Sequence, residues 1–97
     1  MKLSEEQLDA FLSVSEGWER IGEELVKTYQ CPAFTAAISF VTRVAEAAER
    51  LKHHPFIEID YKQVTLRLTT HDEGGLTELD LTAAREMDAA STLNREL

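Results

Sequence analysis

At Pro55 the hydrophobic pattern of this chain changes period, and that switch restricts the fold more than any other feature. Before it, Phe34, Ala37, Ile38, Val41, Val44, Ala45, Ala48 and Leu51 recur at three- and four-residue steps, as along one face of a helix, while Arg43, Glu46 and Arg50 take the other face. Pro32 suits the first turn of this helix. The helix should end near His53-His54-Pro55, because a proline pushes the residue before it out of helical geometry. After Pro55, Ile57, Ile59 and Tyr61 alternate with Glu58 and Asp60, and Val64, Leu66 and Leu68 alternate with Thr65, Arg67 and Thr69. Alternation at period two predicts two strands, joined as a hairpin at Lys62-Gln63.

The flanks repeat these themes. Ser4 followed by Gln7, with Leu3 and Leu8 around them, reads as a capped and stapled helix start that runs towards Gly17. Trp18 to Ile21 and Leu25 to Gln30 read as short strands about a turn at Gly22-Glu23, although residues 24–27 also suit a helix. Beyond the loop His71-Asp72-Glu73-Gly74-Gly75, Thr77 caps a last helix, Asp80 answers the cap from its third position, and Leu76 staples to Leu81. Leu81, Ala84, Met87 and Ala90 then turn inward, and Trp18 is assigned to the core. Hairpins separated by helices predict an α+β fold of two layers, a four-stranded antiparallel sheet with helices packed on one face.

With 97 residues there is room for a single domain, 1–97, whose thin core favours association with copies of itself. The net charge of -8, with Lys and Arg scattered singly, leaves no basic patch for direct nucleic-acid binding. No segment approaches the roughly 20 apolar residues of a membrane span, and the acidic start does not read as a signal peptide. A lone Cys31 fits a reducing compartment, so a cytoplasmic location is expected.

Chemistry points to the histidines. His53 and His54 fall at a helix end and His71 at a strand end, junctions from which loops present functional groups to a cleft. Imidazole gives and takes protons near neutral pH. Two other readings remain open on the residues alone: surface histidines of no special role, and a metal site of the three imidazoles with Asp72. Adjacent His53 and His54 point different ways on any regular element, so a shared metal would need irregular backbone.

The run FVTRVAEAAERLKHHP at 40–55, Tyr61, the segment TTHDEGGLTELD at 69–80, and Trp18 together resemble the pterin-4a-carbinolamine dehydratase family. In that family an acidic residue precedes a His-His-Pro step, followed by an aromatic, a further His and an Asp. The matching positions here are Glu49, His53, His54, Pro55, Tyr61, His71 and Asp80, and the resemblance extends from about Gly17 to about Asp88. It implies subunits paired edge to edge, as a homodimer or homotetramer. It also implies dehydration of 4a-hydroxytetrahydropterin to quinonoid dihydropterin in tetrahydrobiopterin recycling, with no metal or redox cofactor required.

By the same resemblance His53 and His71 are candidates for the acid that protonates the leaving hydroxyl, and His54 for orienting the pterin. Glu49, Pro55, Tyr61 and Asp80 complete the substrate-binding set. Asp80 has two readings, a structural cap partner, which is favoured, and a group orienting His71 or a pterin nitrogen; Glu49 is either a solvated helix residue or, one turn before His53, a hydrogen-bond partner that raises an imidazole's pKa. The chain departs from the best-known members at Ile57, where they carry Trp, at Leu79, where they carry Arg, and at Lys52, acidic in some relatives. The alternatives are a pterin-binding protein without dehydratase activity and a dimerisation cofactor of the kind that serves a homeodomain transcription factor in animals.

Overall fold

Both expected hairpins form, and between them they make one sheet. The computed structural model describes residues 1–95. Helix α1 (Glu5–Val14) leads into strands β1 (Glu19–Ile21) and β2 (Glu24–Gln30), helix α2 (Phe34–Leu51), strands β3 (Phe56–Asp60) and β4 (Gln63–Leu68), a 3-10 turn at His71–Glu73, and helix α3 (Glu78–Arg95). The four strands lie in the order β1-β2-β4-β3, every pair antiparallel. The α+β expectation of a four-stranded antiparallel sheet with helices therefore holds, and residues 24–27 are strand.

The central pair sets the core. Leu25 lies opposite Leu68, Lys27 opposite Leu66 and Tyr29 opposite Val64. Because side chains alternate across a strand, all six share one face. Leu25, Val64, Leu66 and Leu68 are fully buried there with Phe40, Val44 and Met87. Each such side chain contributes roughly 1.5–3 kcal/mol by leaving water. On the opposite face Thr28 and Thr65 share a hydrogen bond of 2.9 Å on the outside of the sheet.

Ser4 makes the full capping box with Gln7, as expected; Leu8 is buried, and Leu3 is partly buried against the core. Four local expectations are corrected. Pro32 lies outside α2, which begins after Ala33 without a side-chain cap. The core face of α2 is Ala37, Phe40, Val44, Ala47 and Ala48, while Phe34, Ile38 and Ala45 are exposed, since the helix meets α3 and β4 on only one side of a broad apolar stripe. Tyr61 is not a strand residue: the hairpin turns at Tyr61-Lys62, with Tyr61 at φ 54°. Finally, α2 does end close to the His-His-Pro step, but the break comes at Lys52, left-handed at φ 55°, rather than at the residue before Pro55.

Candidate functional site

The break at Lys52 separates the two adjacent histidines. The His53 N–H returns to the Ala48 carbonyl at 3.0 Å and the Lys52 N–H to Glu49 at 3.3 Å, the paired bonds of a left-handed helix terminus. That turn sends His53 inward and His54 outward. His53 is 9% exposed, whereas the His54 side chain is 63% exposed.

Inside, His53 Nε2 meets Asp80 Oδ1 at 2.5 Å. Asp80 is fully buried at the start of α3, and its other oxygen accepts the Thr77 N–H at 2.9 Å and the Thr70 hydroxyl at 2.7 Å. Thr77 precedes α3, so Asp80 does answer the cap from the third position. The Thr77 hydroxyl, however, bonds Thr70 at 2.9 Å. Outside, His54 Nε2 meets Glu49 Oε2 at 2.5 Å.

An ionised carboxylate only accepts hydrogen bonds, so in each pair the imidazole donates through Nε2. The neutral ring then carries its lone pair on Nδ1, and the charged ring carries a second N–H there. Each histidine is thus oriented by an acid, and its Nδ1 is the nitrogen left for proton transfer.

His71 opens the 3-10 turn and is exposed. Its neighbour Thr70 pairs with Gly75 through bonds of 3.1 and 3.3 Å, which close the His71 loop at its base. Gly74 takes a positive φ of 72° in this loop. Gly75 does not; a Cβ there would stand 3.0 Å from Glu23. Pro55 is half-buried between the histidines and β3. Tyr61 is exposed at the far end of the β3–β4 hairpin, where the Lys62 ammonium lies 5.3 Å from its ring centre.

The structure thus joins His53 to Asp80 and His54 to Glu49, connects the His71 loop to Asp80 through Thr70, and carries Tyr61 on the opposite hairpin end. Among the described residues no group of three or more His, Cys, Asp or Glu side chains is placed to hold a metal ion. Thr70 was not foreseen. Its only sequence signal is its place beside His71 in a Thr-Thr-His run.

A family model for pterin 4 alpha carbinolamine dehydratase matches residues 1–90. The chain belongs to the pterin-4a-carbinolamine dehydratase family. Relatives provisionally named pterin-4-alpha-carbinolamine dehydratase include one from Roseiflexus sp., 47% identical over 87 residues, covering 90% of this chain and 94% of that protein. Another, from Nocardia farcinica, is 49% identical over 86 residues, covering 89% and 90%. Among solved structures, a transcriptional coactivator/pterin dehydratase from Brucella melitensis superposes with a TM-score of 0.89 at 33% identity, over 94% of this chain and 99% of that one. A pterin dehydratase-like RuBisCO assembly factor of the alpha-carboxysome shares the fold, with a TM-score of 0.68 at 22% identity, over 78% and 90%.

A cavity of about 820 Å³ lies elsewhere in this dehydratase-family fold, lined by residues that include Lys27, Tyr29, Cys31, Phe40 and Ser91 but none of the histidines. Roughly 16 Å of helix separates Phe40 from Leu51, the last helical residue before the histidine turn. Above β2, Asp88 accepts hydrogen bonds from Lys27 at 2.8 Å, Tyr29 at 2.6 Å and Trp18 at 3.0 Å. Burial and the adjoining Asp88 charge hold the Tyr29 phenol above its ordinary range, so it stays a donor. Trp18 is a core residue, as expected. Among the described residues no helix is long and apolar enough to cross a membrane.

Proposed function

We propose that this protein is a hydro-lyase that dehydrates a 4a-hydroxytetrahydropterin, such as 4a-hydroxytetrahydrobiopterin, to the quinonoid dihydropterin, by general acid–base catalysis from its histidines. The observation that carries this reading is the pairing of His53 with a buried carboxylate, which fixes one tautomer of an imidazole at the helix end. In the reaction the C4a hydroxyl takes a proton, the carbon–oxygen bond breaks, water leaves, and a ring nitrogen gives up its proton. His53 or His71 supplies the first proton. His54, held by Glu49, orients the pterin and Pro55 contributes to binding, while Tyr61, at the far end of the β3–β4 hairpin, stands apart from this set within the chain. Asp80 has its oxygens occupied by three donors, so in this scheme it serves the pterin through His53.

The reading places the protein in the cytoplasm, in recycling of tetrahydrobiopterin, as a homodimer or homotetramer. The chain itself leaves β1 and β3 as sheet edges along which copies can pair.

The test is a coupled assay in which a hydroxylase generates 4a-hydroxytetrahydropterin and quinonoid dihydropterin is followed by absorbance. Faster formation in the presence of this protein is expected. An unchanged rate with pterin bound would replace the enzyme by a pterin-binding protein, and an unchanged rate without binding would favour a protein-assembly role.

A further inference from the structure

We propose that Thr70 is a positioning residue that ties the two histidine-bearing segments together and sets the working nitrogen of His53; this rests on the acid–base reading above. The directions of the hydrogen bonds follow from chemistry. Ionised Asp80 accepts only, so the Thr70 hydroxyl gives its proton to Oδ2 over 2.7 Å. Having spent that proton, Thr70 must accept from the Thr77 hydroxyl at 2.9 Å. The chain of donors therefore runs from Thr77 to Thr70 to Asp80, and His53 Nε2–H closes it on Oδ1.

Two features make Thr70 the strut of this chain. Its backbone is clamped by both bonds to Gly75, and its carbonyl also receives the Glu73 N–H at 3.1 Å. The hydroxyl is therefore carried by a fixed segment, the same one that presents His71. Asp80 in turn is held by the Thr77 N–H, and with both Oδ2 contacts made, its carboxylate plane is set and Oδ1 is aimed at His53. Without the Thr70 hydroxyl, Asp80 keeps one Oδ2 donor and gains freedom to rotate. His53 then loses its fixed tautomer, and the His71 loop loses its side-chain link to the pair.

The experiment compares Thr70→Val with Thr70→Ser by steady-state kinetics across pH and by nitrogen-15 NMR of the imidazoles. Thr70→Val should lower kcat roughly tenfold, part of what a positioned acid or base supplies, with KM within about twofold. It should also displace the pH–rate profile and the His53 imidazole titration. Thr70→Ser, which keeps the hydroxyl, should restore the profile and the NMR signature.

A Thr70→Val protein with the wild-type profile and unchanged His53 resonances overturns the proposal, as does one that changes thermal stability alone. If the wild-type protein shows no turnover, the proposed reaction fails by itself, and the NMR comparison still decides whether Thr70 sets the His53 tautomer. Should Thr70→Val not fold, Thr70→Ser against Thr70→Ala decides on the same two readouts.

Discussion

His53 donates to the buried carboxylate of Asp80 across 2.5 Å, a contact between residues 27 positions apart that closes the end of α2 onto the start of α3. In the proposed mechanism it joins stability to proton chemistry in one pair. Asp80→Ala leaves the His53 ring, the Thr70 hydroxyl and the Thr77 N–H without their acceptor, and should cost roughly 3 kcal/mol in urea unfolding, the scale for stranding buried hydrogen-bonding groups. Turnover should fall with it.

The exposed pair should behave in the opposite way. Glu49 and His54 are 76% and 63% exposed, where ion pairs add little to stability. Glu49→Gln is expected to leave the Tm nearly unchanged and to raise KM for the pterin several-fold. A fall in Tm comparable to that of Asp80→Ala would show that the pair is structural.

Lys52 occupies the left-handed position that glycine fills at many helix ends. A side chain there costs roughly 1 kcal/mol relative to glycine. Lys52→Gly should therefore stabilise the protein by about that amount in urea unfolding while preserving kcat, because the turn that sends the histidines to opposite sides is kept.

Burial raises the Cys31 thiol above its ordinary value, although Arg43 opposes the shift. A raised thiol pKa means less thiolate at a given pH. Alkylation of the native protein by iodoacetamide should be slower at pH 8 than that of the urea-unfolded chain, and its rise with pH should be displaced upward.

The parts of the fold that were readable are those with a local cause. Gly22 takes φ 62° at the β1–β2 turn, and Ser4 and Gln7 complete their capping box, because a glycine and a cap pair carry their geometry in their own chemistry. The core face of α2 was not readable in detail. Phe34, Ile38 and Ala45 satisfy the helical period as well as Phe40 does, and only the packing of α3 and β4 decides which side is covered.

Tyr61 shows the same limit in a strand pattern. It continues the alternation of Ile57 and Ile59, yet the chain reverses there, with an aromatic residue at a positive φ that nothing in its type favours. The histidines were legible as a set with Glu49 and Asp80 only through the family resemblance, since the residues alone also suited surface or metal readings. What each pairs with was less so: Glu49 bonds the exposed His54, and Thr70 enters only because a loop and a helix start converge on one carboxylate.

The Asp88 junction gives the protein its own optical gauge. Trp18 is the sole tryptophan, and its indole N–H rests on a carboxylate of α3 shared with two residues of β2. Its emission should shift when α3 separates from the sheet. Fluorescence can therefore follow the integrity of the scaffold from a point well away from the histidines, so that a variant with unchanged emission and lost turnover is a lesion of chemistry, and one that changes both is a lesion of folding.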